Sequence, residues 1–113
     1  MAAELSIDAL RAEIDRIDEV LVRLLDRRAR CAYAIGRAKQ SAGRPVYEPG
    51  REATVLAHVR AVNQSLDGPL DDEAIVRLFE RVIDEARRIQ RIEAEGSGPA
   101  PDRIGTNEPT DGQ

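Results

Sequence analysis

Arg28 occupies a position where the pattern of the chain calls for an apolar residue. Leu10, Ile14, Ile17, Leu21, Leu24, Arg28, Cys31, Ile35 and Ala38 follow one another at alternating four- and three-residue steps, the signature of a helix that buries one stripe against other helices. A guanidinium buried without a partner is strongly destabilising, so the chain must offer it an anion, either one of its own carboxylates or one carried by a ligand. Lys39 lies eleven residues further on, close to three helical turns, and so falls near the same face. Arg11 adjoins the seam toward its other end. Glu48, Arg51 and Glu52 cluster where a second helix opens and backbone N–H groups point outward. Gln90 stands one turn after Ala86 beside an inner stripe, and a buried amide needs hydrogen-bonding partners. Cations, carboxylates and an amide are suited to holding a small anion.

Three helical segments and a tail must position these groups. The first helix is expected from Asp8, a good N-cap, through Gly36 toward Gly43, since the seam stays in phase across Gly36 and one interior glycine costs only about 1 kcal/mol. About 34 residues make a rod of roughly 50 Å, whereas a compact chain near 100 residues has a radius of gyration of about 13 Å. Two shorter helices cannot cover such a stripe, which predicts a homodimer of long helices packed on each other. Gly43, Arg44 and Pro45 end the rod, and Pro49 suits the first turn of a second helix expected from about Gly50 to Val62. That helix would turn Ala53, Leu56 and Val59 inward, and Asn63 to Pro69 reads as a turn-rich break. Asp71 is the expected N-cap of a third helix, with Leu70 and Ile75 spaced as a hydrophobic staple. Ile75, Leu78, Phe79, Val82, Ile83, Ala86 and Ile89 supply its inner face. The fold class is therefore all-α. Residues 1–94 form one helical domain, and Glu95 to Gln113, rich in Gly, Pro and acids, reads as a disordered tail.

Composition excludes several functions. With 17 Lys+Arg against 21 Asp+Glu among 113 residues, no basic face argues for nucleic acid. No segment approaches the run of roughly 18 apolar residues that a membrane helix requires, and Met1 to Asp8 lacks the basic start and apolar stretch of a signal peptide, so a cytoplasmic protein is expected. Cys31 is the only cysteine and reads as a small seam hydrophobe. His58 has neither a second histidine nor a cysteine at ligand spacing, which argues against a metal, and it has no partner for nucleophile activation. Gly36 and Gly43 are too far apart for a phosphate loop, and they follow a helix.

Each charge also has a purely structural explanation. Arg11, Arg51 and Glu52 fit a solvated helix surface. Glu48 fits a helix cap, Lys39 could snorkel to water, and Arg28 could pair with Glu52 or Glu85 of its own chain. From the seam alone, these alternatives stay open. Arg11 and Arg28 are about 25 Å apart along one rod, too far to share a small ligand, but across an antiparallel dimer Arg11 of one copy approaches Arg28 and Lys39 of the other.

Leu10-Arg11-Ala12-Glu13-Ile14-Asp15, Leu24-Leu25-Asp26-Arg27-Arg28, Ile35-Gly36-Arg37-Ala38-Lys39 and Arg44-Pro45-Val46-Tyr47-Glu48-Pro49-Gly50-Arg51-Glu52, in this order and spacing, resemble the all-helical AroQ class of chorismate mutase. The resemblance spans about Ile7 to Ile92 and continues through Phe79 to Gln90. It implies an intertwined helical homodimer that converts chorismate to prephenate by an intramolecular Claisen rearrangement, without metal or cofactor. By the same resemblance Arg28, with Arg11 from the other copy, would hold the two carboxylates of the substrate. Lys39 and Gln90 would donate to the ether oxygen. Glu52 and Glu48 would hold the ring hydroxyl, Arg51 would order the loop, and Ile35 and Ile83 would wall the cavity. Two positions depart from the pattern. Members of the class often carry Asp at the position of Glu48 and Ser at that of Ala86, so a longer acid and a lost hydroxyl are expected to weaken substrate binding. The related isochorismate pyruvate lyase activity and a non-catalytic dimerisation module are the alternatives.

Overall fold

The computed structural model describes residues 6–95, and within them the chain forms three α-helices and no strand. Helix α1 spans Ile7–Ala42, α2 spans Pro49–Leu66 and α3 spans Asp72–Ala94. The tail expected from Glu95 lies outside the described residues apart from Glu95 itself, which closes α3.

The ends of each helix follow from local chemistry. Ser6, not Asp8, caps α1: its hydroxyl accepts from the Ala9 N–H at 3.0 Å, which leaves Asp8 in the first turn, where its negative charge suits the helix dipole. Gly43 ends α1 in the left-handed region at φ 68°, and the Gly43 and Arg44 N–H groups return to the Gln40 and Lys39 carbonyls. The Asp71 carboxylate accepts from the Ala74 N–H at 2.7 Å, as expected of an N-cap. Helix α2 runs one turn further than its sequence suggests, through Leu66, and stops where Asp67 adopts φ 51°. The reason is Asn63. Its buried amide donates to the Leu70 carbonyl and to Asp72 Oδ1, both at 3.0 Å, so a residue that reads as turn-forming instead ties the end of α2 to the start of α3. The Asn63 amide first, and Gln64 after it, hold the Asp72 carboxyl below the ordinary carboxylate range.

Helix α3 packs on both α1 and α2, which make no comparable contact with each other. The layout is a single layer of helices, 60 × 36 × 15 Å with a radius of gyration of 17.9 Å, well above the value of about 13 Å for a compact chain of this length. Little is fully buried: Ala32 and Ile83 are the buried apolar residues among those described, and no large side chain is sealed off. Ala53 and Leu78, expected to face inward, are exposed, because a one-layer arrangement leaves each helix with a second open side. Every residue from Ile7 to Arg27 is exposed, including the seam residues Leu10, Ile14, Ile17, Leu21 and Leu24.

Gly36 accounts for the one weak point in α1. A Cβ at Gly36 would stand 3.1 Å from the Gln90 Cα and 3.3 Å from its Cβ, so glycine is what lets α3 approach α1 at this level. The contact sets the height at which Gln90 meets Lys39.

Candidate active site

Where α1, α2 and α3 converge, an open cavity of about 440 Å³ is lined by nine of the ten residues singled out from the sequence: Arg28, Ile35, Lys39, Glu48, Arg51, Glu52, Ile83, Ala86 and Gln90. Arg11 is the exception. It lies on the exposed N-terminal half of α1, and its own chain does not bring it to the cavity.

Lys39 is the centre of the polar wall. It is buried, at 7% exposure, so the snorkelling alternative does not hold. Its ammonium donates to the Val46 carbonyl at 2.9 Å and to Gln90 Oε1 at 3.2 Å, and it pairs with Glu48 Oε1 at 2.8 Å. Three donors thus meet three acceptors, which is how the fold tolerates the charge. With its oxygen turned to Lys39, the Gln90 amide keeps its NH₂ group as a donor for the cavity.

Glu48 occupies the N-cap position of α2 but makes no side-chain cap. Its second oxygen takes the Arg44 guanidinium at 2.9 Å. The Lys39 ammonium first, and Arg44 after it, hold the Glu48 carboxyl below the ordinary carboxylate range. The extra methylene relative to aspartate lets this acid bridge two cations. The cap reading of Glu48 is overturned.

Glu52 meets Arg87, a residue not anticipated from the sequence. Arg87 Nε donates to Glu52 Oε2 at 3.1 Å and Nη2 to Oε1 at 2.6 Å, a bidentate pair. The Tyr47 ring lies 5.0 Å from the guanidinium carbon and Asp84 Oδ1 lies 3.8 Å from Nη1. Glu52 raises the Arg87 pKa further above its already high value. Helical spacing offered a signal, since position 87 is four residues after Ile83 and three before Gln90 and therefore shares their face. Arg44 gave no such signal, because it sits in the α1–α2 connection.

The remaining question from the seam was what Arg28 pairs with. Glu52 is engaged by Arg87, and Glu85 by Arg81 and Arg88 at 2.9 and 3.0 Å. Among the described residues Arg28 and Arg51 have no carboxylate partner, and both line the cavity. Arg28 is only half-buried in the isolated chain. Five cationic side chains surround this space against two carboxylates, so it is an electropositive pocket with two unspent guanidinium groups. No group of His, Cys, Asp and Glu among the described residues could hold a metal ion. No helix among them is long and apolar enough to cross a membrane.

Comparison with known proteins bears directly on this arrangement. The family model described as chorismate mutase type II matches residues 10–91. A bifunctional chorismate mutase/prephenate dehydratase of Pseudomonas aeruginosa is 41% identical over 96 residues, covering 80% of this chain and 26% of that protein. A 4-amino-4-deoxychorismate mutase of Streptomyces venezuelae is 32% identical over 92 residues, covering 81% of this chain and 87% of that protein. The solved structure of chorismate mutase (form II) from Thermus thermophilus superposes with a TM-score of 0.71 at 38% identity, covering 75% of this chain and 93% of that one. The chain spans about a quarter of the length of the bifunctional relatives it matches. A three-helix fold of the same shape and a family match that reaches from the first seam residue to just past Gln90 lead to one conclusion: the chain belongs to the chorismate mutase type II family.

Proposed function

We propose that the chain is a homodimeric chorismate mutase that converts chorismate to prephenate on the route to phenylalanine and tyrosine. The observation that carries this reading is the pairing census of the cavity: Arg28 and Arg51 unspent beside the Lys39–Gln90 pair. A dicarboxylate supplies the anions that Arg28 and Arg51 lack, and the guanidinium fork suits a carboxylate. In the rearrangement the ether C–O bond breaks as a C–C bond forms, and all electrons stay within the substrate. Negative charge grows on the ether oxygen. The Gln90 NH₂ group donates to it, and Lys39 donates once it exchanges one of its three internal acceptors for the substrate, so the stabilisation is electrostatic. Carboxylate clamps hold the compact conformer in which the two ends of the substrate meet. Glu52 accepts from the ring hydroxyl, since a bidentate guanidinium leaves each carboxylate oxygen a further lone pair.

The dimer and the role of Arg11 belong to this proposal. The exposed apolar half of α1, the single-layer shape and a second, apolar cavity of about 430 Å³ between α1 and α3, lined by Val22, Leu25, Val82 and Ile89, favour a second copy as the missing cover. In that assembly Arg11 of one copy reaches the carboxylate end of the other copy's pocket. A cytoplasmic setting is part of the same reading, as a free exposed thiol at Cys31 suits a reducing compartment.

The test is prephenate formation from chorismate by the purified chain, with pyruvate release from isochorismate followed alongside. Prephenate without pyruvate supports the mutase. Pyruvate without prephenate supports the lyase, and neither product supports a dimerisation module.

A further inference from the structure

Resting on the mutase reading, we propose that Arg87 is a specificity-determining residue that favours a ring hydroxyl over a ring ammonium at the carbon facing Glu52. The chemistry is one of charge. Glu48 and Glu52 are the two anionic acceptors of the cavity, and each is already compensated, Glu48 by Lys39 and Arg44, Glu52 by Nε and Nη2 of Arg87. A hydroxyl donates to a spare lone pair of Glu52 and brings no charge. An ammonium brings a full positive charge to a carboxylate that is already paired, beside the like charge of the Arg87 guanidinium.

Arg87 cannot easily yield its place. Tyr47 supports the guanidinium on its face, Asp84 lies beside Nη1, and the bidentate geometry fixes the remaining edge. Its side chain is about one-third exposed and that of Glu52 about one-quarter, so the pair is partly shielded from water and its charge is felt in the cavity. The discrimination matters because a protein of the same size and family, 32% identical, is named for 4-amino-4-deoxychorismate, in which an amino group replaces that hydroxyl. One scaffold therefore has to choose between the two substituents, and the charge state around Glu52 is the lever within this chain.

The experiment compares kcat/KM for chorismate and for 4-amino-4-deoxychorismate near neutral pH, where an alkyl amine is protonated, in the wild type, Arg87→Met, Arg87→Lys and Glu52→Gln. Because both substrates are measured on the same preparation, the ratio is independent of the folded fraction. The wild type is expected to prefer chorismate, and Arg87→Met to shift the ratio toward the amino substrate by about tenfold or more, as removal of one nearby like charge predicts. Arg87→Lys, which keeps the charge, is expected to retain the wild-type ratio, and Glu52→Gln to shift it in the opposite direction. A parallel fall on both substrates in Arg87→Met, a shift in Arg87→Lys as large as in Arg87→Met, or a Glu52→Gln shift toward the amino substrate overturns the assignment. A wild type without chorismate turnover overturns the mutase reading beneath it, which separates the two failures.

Discussion

From Arg28 to Ala42, α1 runs past α3 and forms a wall of a polar cavity; from Ile7 to Arg27 the same helix, with the same apolar period, is exposed at every residue. One half turns Arg28 and Lys39 into the cavity; the other carries every leucine of the helix. The contrast separates two tasks that a single amphipathic pattern conceals. The C-terminal half is packed by its own chain, through Gly36 against Gln90 and Lys39 among its three acceptors. The N-terminal half has an apolar face far too large for a monomer to leave in water, and it also holds Arg11, the one predicted site residue absent from the cavity.

The sharpest way to break this comparison is Leu21→Glu, in the middle of the exposed half. On a genuinely free surface such a change stays within about 0.5 kcal/mol, whereas a carboxylate placed in a stripe covered by a second copy costs about 3 kcal/mol or more. Denaturation and light scattering are expected to show loss of the dimer and of folded protein together. In the completed half, Gly36→Ala is expected to do the reverse. Helix propensity improves by about 1 kcal/mol while the new methyl presses on Gln90, so melting stays near the wild type and kcat falls about tenfold. Asn63→Ala sharpens the contrast from outside the cavity. It leaves the Leu70 carbonyl and Asp72 without their buried donor, and a loss of about 1–3 kcal/mol in urea melts is expected with turnover per folded site unchanged.

The smallest effect is a pH dependence. Lys39 lowers the Glu48 carboxyl in the folded chain relative to its ordinary value of 4.5. Stability from this group is therefore complete above that value and is lost as pH falls through the lowered folded one. The difference in melting temperature between the wild type and Glu48→Gln is expected to be constant at neutral pH and to close on acidification below 4.5. A difference that widens on acidification would place the charge elsewhere.

Much of this was legible in the residues, and what was not has identifiable causes. An apolar stripe at period 3.6 marks α1 and α3 as helices, and the interruption at Arg28 marks the pocket because a cation in such a stripe needs an anion. Asn63 misleads, since turn propensity is local while its amide is satisfied by Leu70 and Asp72 across the connection. Arg87 was missed because its partner Glu52 is 35 residues away, and nothing in either neighbourhood announces the pair. Leu78, expected to face inward, is exposed and Arg28 is half-buried, because a single layer of helices leaves each helix with an open side.

The central claim is that each site is completed by the open half of another copy's α1. It is tested most directly by mixing two variants, Arg11→Ala and Lys39→Ala, each expected to lose about a hundredfold or more in turnover as a dimer. After unfolding and refolding together at equal concentration, half of the dimers are mixed, and each mixed dimer holds one site with both residues intact, so recovery to about a quarter of wild-type activity is predicted. Mixed dimers that form without any recovery, or an Arg11→Ala dimer as active as the wild type, would contradict the account.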